Sequence, residues 1–400
     1  MPHPPHAHRR LSLQLLVSTG SMAAACALAQ EQERIPYYIG VSQSFTHDSN
    51  VYRTSTNEVS ETISGTGVLL GMDQHLGRQR VFADAEAQVN RYRNDSGLNN
   101  KSYALTAGLD WETIEFLSGA LRYSTRNSLT DFGSTGGAPI VSDQVTQQFS
   151  ATARYGLASY LSLDGGYEHR KLTYKNPVLS NRNYSQDAVN TGLRWIGSRL
   201  TLGIGVRATK GRTPEFDDAP PFADELKRRD VDLFATWTPS GFSTLNARLS
   251  ATKETHTLAS NAELSETTGS LTCDYRATGK LSINANASRD TGTETTFIGT
   301  APDGTTALPV DNSRLTTSAA LSARYELTGK TFVTGSINQR KGTLGNASKD
   351  SVKGYALRLN YLPTRTVSLN CSVARETRSI AGATAYSATI TGCGGELSLR

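Results

Sequence analysis

The sequence predicts an all-β chain folded as a transmembrane antiparallel up-and-down β-barrel of about 18 strands (16–18), with short periplasmic turns and long extracellular loops. Three observations predict it. Short segments along the whole chain alternate apolar and polar residues with a period of two. The connections between them alternate between short and long, as they do where periplasmic turns face extracellular loops. An aromatic residue closes every second strand just before a short turn. Composition agrees: 400 residues that are 37% apolar, with 35 Gly, 3 Met and 3 Trp, leave little for a large dry core. The even recurrence of Tyr, Val, Thr, Leu and Ile argues against disorder.

The elements follow in chain order. Arg9-Arg10, the apolar "LSLQLLVSTGSMAAACALA" and Ala27-Leu28-Ala29 form a secretory signal peptide over 1–29, with Gln30 as the first mature residue. Ala23 stands where a lipobox usually has Leu, which disfavours a lipid anchor on Cys26. Residues 30–36 form a short periplasmic segment, and 37–400 the barrel. The mature chain carries 39 basic against 36 acidic residues, a net of +3 that predicts no nucleic-acid partner.

Strand centres fall near residues 42, 67, 86, 106, 121, 150, 166, 189, 205, 234, 248, 270, 285, 320, 336, 357, 370 and 392. Each strand is about 9 to 12 residues long, enough for a tilted strand to cross hydrocarbon. "TISGTGVLLGM", near 67, alternates least. "VFADAEAQVNRY" alternates best, with Val81, Ala83, Ala85, Ala87 and Val89 on one face and Phe82, Asp84, Glu86, Gln88 and Asn90 on the other. So lean an apolar face suits acyl chains, which conform to it, and leaves the polar face to water. Short turns include "LGRQR", "GLAS", "IGSR", "PSGF", "RATGK", "LTGK" and "LPTR". Long loops are expected at 127–144, 171–183, 210–228, 254–264, 290–313 and 341–350, with 210–228 and 290–313 as plugs or lids. "DFGSTGGAP" lacks the Lys-Ser/Thr of a phosphate loop and reads as a flexible surface loop. Trp111, Tyr155, Trp195, Trp237, Tyr275, Tyr325 and Tyr361 all precede short turns on the apolar phase, the position of an interfacial girdle.

Charge obeys the same phase. Lys175, Lys210, Lys227, Lys280, Lys330 and Lys349 gather in predicted turns and loops. A lipid-facing Arg or Lys at the midplane would cost roughly 2–4 kcal/mol; Arg289 and Arg375, which break phase, stand near the loop ends, where the cost fades. The inward phase carries the pore-lining candidates Arg122, Arg126, Arg154, Arg170, Arg194, Arg207, Arg248, Arg324, Arg340 and Arg358, against Asp84, Glu86, Asp110, Asp164, Glu168, Asp232, Asp274 and Glu376. Two readings stay open: the arginines select anions, or they pair with acids on neighbouring strands and brace the wall.

Cys371 and Cys393 lie symmetrically about Gly382 of "SIAGATAY", which places them opposite each other on the last two strands as a disulfide candidate in an oxidising compartment. Cys273 follows the outward phase of Leu271 and Tyr275. No cofactor and no metal-ligand spacing is expected. Neither a G-x-S-x-G elbow nor an H-E-x-x-H helix occurs, so the chain is not expected to be an enzyme. His169 with Asp164 and a nearby Ser is the one weak hydrolase set.

The opening "IPYYIGVSQSFTHDSNVYR", with Asp48-Ser49-Asn50-Val51-Tyr52-Arg53 after its strand, resembles the start of the EpsL-type outer-membrane proteins of exopolysaccharide gene clusters. "ADAEAQVNRYRNDSGLNN" and the closing "LNCSVARET…TGCGGELSLR" are similar to that family as well. The resemblance implies a channel for exopolysaccharide export, working with periplasmic export components; barrel physics supports equally a general or anion-preferring porin for small solutes, with outer-membrane lipid around it. A plugged structural barrel is the third reading. The chain departs from many outer-membrane barrels in closing on Leu397-Ser398-Leu399-Arg400 without a terminal aromatic.

Overall fold

In a computed structural model the chain forms one 18-stranded antiparallel sheet closed on itself. The structure describes residues 36–135, 140–156, 160–218, 221–258, 263–291, 315–343, 349–380 and 385–399. The expected signal peptide lies outside them, as do most of loop 290–313 and Gly382. The strands are β1 (Tyr37–Asp48), β2 (Glu61–Leu76), β3 (Gln79–Tyr92), β4 (Asn100–Glu112), β5 (Leu117–Leu129), β6 (Asp143–Tyr155), β7 (Leu161–Tyr174), β8 (Tyr184–Ile196), β9 (Leu200–Asp218), β10 (Pro221–Ser240), β11 (Ser243–His256), β12 (Leu264–Arg276), β13 (Leu281–Asp290), β14 (Leu315–Thr328), β15 (Thr331–Thr343), β16 (Lys349–Tyr361), β17 (Val367–Ile380) and β18 (Tyr386–Leu399).

Each strand pairs with its sequence neighbours, and β1 closes on β18 from Ile39 opposite Leu399 to Asp48 opposite Ile390. Closure satisfies the N–H and C=O groups that an open edge would leave bare, the condition for a sheet to stand in hydrocarbon. The polar–apolar alternation then reads directly as inside and outside. Val41, Val68, Leu193, Leu233, Leu249, Leu321 and Leu357 are all exposed on the outer face, while the residues between them turn inward. The buried apolar residues are few. Seven of those among the described residues form two clusters at the loop rim, Val51, Leu98 and Phe132 in one and Leu172, Tyr174, Leu179 and Tyr184 in the other.

Short turns occupy the rim where the chain enters and leaves. Between β2 and β3 only Gly77 and Arg78 intervene, and Gly77 takes a φ of +63°, which a side chain would resist. Two expectations change. The strands run from 10 to 20 residues, longer than hydrocarbon needs, because several continue above the membrane as wall. The stretch 210–228 is not a loop: β9 and β10 stay paired from Leu200–Trp237 up to Asp218–Pro221, with one register shift between Phe222 and Asp224. Its run of alternating Lys210, Arg212, Lys227 and Arg229 is strand sequence whose outward face meets water, which is why it looked like loop.

Candidate functional site in the barrel lumen

All the inward-phase candidates, Arg122, Arg126, Arg154, Arg170, Arg194, Arg207, Arg248, Arg324, Arg340, Arg358, Asp84, Glu86, Asp110, Asp164, Glu168, Asp232, Asp274 and Glu376, occupy positions opposite in phase to the exposed aliphatics of their strands. The structure joins many of them in pairs. Arg194 meets Asp164 at 2.7 Å, Arg170 meets Glu168 at 2.7 Å, and Arg122 meets Asp110. Arg80 stands 2.7 Å from Asp73 and 3.8 Å from Asp110. Arg126 and Arg154 have no ion-pair partner among the described residues. Asp84 accepts from the Tyr38 hydroxyl at 2.8 Å, and Asp274 from the Asn284 amide at 2.7 Å.

The charges are unevenly spread around the wall. Among the described side chains of β5 to β9 six arginines face inward (Arg122, Arg126, Arg154, Arg170, Arg194, Arg207) against two acids, Asp164 and Glu168. On β2 and β3 Asp73, Asp84 and Glu86 face inward below Glu61, with Arg80 as the sole arginine. An anion crossing the lumen therefore meets a basic arc and an acidic arc.

A second group is buried in the wall. Arg228 donates to Asp230 at 2.9 Å and to Asp290 at 2.7 Å; Arg248 donates to the other oxygen of Asp290 at 2.5 Å, and Arg207 reaches Asp230 at 3.0 Å. Arg228, Asp230 and Asp290 are at most 2% exposed. Charges so enclosed persist only when mutually paired. From the sequence, Arg228 and Asp290 fall in the expected long loops 210–228 and 290–313, and Asp230 is not singled out; their shared inward parity across β10 and β13 was the available signal.

The loop rim holds the third group, built on Asp48-Ser49-Asn50-Val51-Tyr52-Arg53. Ser49 and Asn50 tie loop L1 (49–60) to β18: the Ser49 N–H donates to the Thr389 carbonyl at 3.0 Å, and the Asn50 amide to that of Ser387 at 3.1 Å. Arg53, in the left-handed region at φ +56°, forks onto Asp48 at 2.8 Å and approaches Asp131 at 4.0 Å. Burial alone would lower the Arg53 pKa, but Asp48, Asp131 and Glu376 outweigh it and the net shift is upward. Tyr52 donates to Asp95 of loop L2 (93–99) and packs edge-on against Phe132, ring centroids 5.1 Å apart. That bond first, then burial, raises the Tyr52 pKa to about 12, and it holds Asp95 below the ordinary carboxylate range. Glu61 caps L2 from beneath by accepting the N–H groups of Arg93, Asn94 and Asp95.

In loop L3 (130–142) the described residues 130–135 extend from this rim across the opening. Arg378 of β17 donates to the Gly133 carbonyl and to Asp350 at 2.7 Å, and the Tyr386 hydroxyl, 2.5 Å from where a Cβ on Gly133 would stand, donates to Glu376 at 2.5 Å. L3 starts on β5, and β4, β3, β2, β1 and β18 separate that strand from β17 around the wall, so residues 130–133 span a chord of the mouth. "DFGSTGGAP" is thus no free surface loop over Asp131–Gly133. A Cβ at Gly133 would collide with the tyrosine, so the Gly that suggested flexibility is there for close approach. Loop L4 (175–183) packs Leu179 beside Leu172, Tyr174 and Tyr184, with Ile140 of L3 against them.

On the outer face, Trp111, Tyr155, Trp195, Trp237, Tyr275, Tyr325 and Tyr361 stand at the turn ends of β4, β6, β8, β10, β12, β14 and β16. Tyr37, Phe116, Tyr160 and Phe242, on rising strands or in turns, stand exposed at the same rim; the strand-closing pattern could not reveal them. Cys371 and Cys393 are cross-strand partners joined as a disulfide on the outward phase of Leu369 and Val373, and Cys273 is free and half-buried. The hydrolase set does not assemble: His169 points outward to Asp187 at 2.8 Å, while Asp164 points inward.

No protein-family model matches the sequence, and no curated protein matches it. Solved structures do. The structure of Pseudomonas aeruginosa OpdK with vanillate is similar at a TM-score of 0.50 and 12% identity over 91% of this chain and 99% of that one. A second structure of the outer membrane protein OpdK from the same organism gives 0.50 and 12% over 91% and 98%. Pseudomonas aeruginosa OccK2 (OpdF) with glucuronate gives 0.48 and 11% over 91% and 98%. At these identities the likeness is one of fold. The chain is a closed 18-stranded barrel of the bacterial outer membrane.

Proposed function

We propose that the chain is a diffusion channel for small anionic solutes. The observation that carries this is the basic arc of β5 to β9 beneath a mouth partly crossed by L3. In a confined aqueous path, fixed guanidiniums focus the field and raise the local concentration of anions. Where an arginine is paired it braces the wall; Arg126 and Arg154 keep their charge for the solute. L3 favours small solutes over an intact exopolysaccharide chain, whose passage would have to pull Asp131 and Gly133 from Arg53 and Arg378. The OpdK neighbour was solved with vanillate, a carboxylate, which is in keeping with this chemistry.

The purified barrel in planar bilayers under a KCl gradient is expected to show a reversal potential on the anion side, and replacing Arg126 and Arg154 by Gln to move it toward zero. Cation selectivity of the unaltered protein would overturn the proposal. Block of the current by an anionic exopolysaccharide added on the turn side would favour polymer export instead.

A further inference from the structure

The outer face of β9–β13 carries basic residues that the lumen does not use. Lys210 of β9 lies directly opposite Lys227 of β10, and Arg229 of β10 directly opposite Lys253 of β11. Like charges in such positions repel. Their alternation with buried Leu226, Arg228 and Asp230 turns them to the outside. Few acids offset them there: Lys253 meets Glu263 at 2.6 Å, Glu225 lies one outward step above Lys227, and Asp187, the other cross-strand neighbour of Lys210, is engaged by Tyr167 and His169. Lys210, Lys227 and Arg229 have no ion-pair partner among the described residues.

Below this row the same face is grooved. A furrow of about 820 Å³ runs between Leu233, Leu249 and Leu271 over the small Ala247, Gly269 and Ala287, with Arg289 at its edge. The furrow opens outward at the depth of the exposed aliphatics, so a water-soluble partner does not reach it. Arg289 is one of the two phase-breaking arginines of the sequence, held at 3.3 Å from Glu266.

We propose that this face binds a phosphorylated glycolipid of the outer leaflet, its phosphates among Lys210, Lys227 and Arg229 and an acyl chain in the furrow. A juxtaposed cation row and apolar furrow match a ligand with an anionic head and hydrocarbon tails. The proposal rests on the barrel standing in the outer membrane, not on solute selectivity.

Native mass spectrometry of the detergent-solubilised barrel tests it, with bis-phosphorylated lipid A, phosphatidylglycerol and phosphatidylethanolamine as probes. Lipid A is expected to bind at least about tenfold more tightly than either glycerophospholipid. The triple variant Lys210→Gln, Lys227→Gln, Arg229→Gln should lose most of that preference, and Lys101→Gln with Lys171→Gln, outward on β4 and β7, should keep it. Altered gel mobility without boiling confirms that each variant is folded; if the triple variant is not, Arg229→Gln alone should still weaken lipid A binding. Equal binding of lipid A and either glycerophospholipid, or full retention by the folded variants, would overturn the proposal.

Discussion

Arg53, Arg378 and Tyr386 decide whether L3 stays across the opening, since each touches Asp131 or Gly133 from a different element. Replacing Arg378 with Ala, and Asp131 with Asn, should free L3 and raise single-channel conductance. Unchanged conductance would mean that the current bypasses the chord. In the wall, Asp290 neutralises two arginines at once. Asp290→Ala leaves buried Arg228 with Asp230, a carboxylate it shares with Arg207, and should cost about 3–5 kcal/mol, read as a lower urea midpoint for unfolding from lipid vesicles. Residue parity was legible: the alternation of the sequence is the alternation of exposed aliphatics along the strands. Partnership was not, because which guanidinium meets which carboxylate depends on register between strands far apart in sequence. Arg228 and Asp290, 62 residues apart, are the case in point.

At the scale of elements, the hairpins declared themselves through short turns, while the behaviour of the long connections stayed hidden. The 210–228 stretch continues as paired strand, and L3, short and Gly-rich, does the work expected of longer loops. Asp48 at the end of β1 and the first five residues of L1 each find a use at the rim, yet in the sequence they carried only a resemblance. The L1–L2 link through Tyr52 and Asp95 has a defined pH window. Asp95 is held below its ordinary value of 3.8, so its contribution is present above that pH and is lost as pH falls through the lowered value. Tyr52 is raised, so its contribution is complete below 10.0 and is lost as pH rises to about 12. Gating noise from L1 and L2 should accordingly grow at both extremes, and Tyr52→Phe should abolish the alkaline arm; noise that ignores pH in that variant and the parent alike would refute the link.

For the whole molecule, the period of two, the sorted connections and the charge phase together specify closure, because no open sheet could leave so many apolar residues facing outward. What they could not specify is the asymmetry of the enclosed space. It arises from six arginines that are scattered in sequence and become neighbours only when β5 to β9 stand side by side. Exchanging Asp84 and Glu86 for Asn and Gln should shift selectivity further toward anions without changing assembly, as judged by gel mobility before and after boiling. A variant that loses Arg154 should shift it the opposite way.

The sulfur bridge between β17 and β18 has a consequence for timing. Cys371 and Cys393 end up on the outward phase among acyl tails, where no water-borne oxidant can approach. The bond must therefore be made while the two strands are still in the aqueous periplasm. The hairpin then reaches the membrane already tied, worth about 3 kcal/mol for a loop of this span of 22 residues. A pulse-labelled chain caught before insertion should already carry the crosslink, and Cys371→Ala with Cys393→Ala should slow the joining of the last strand to the first.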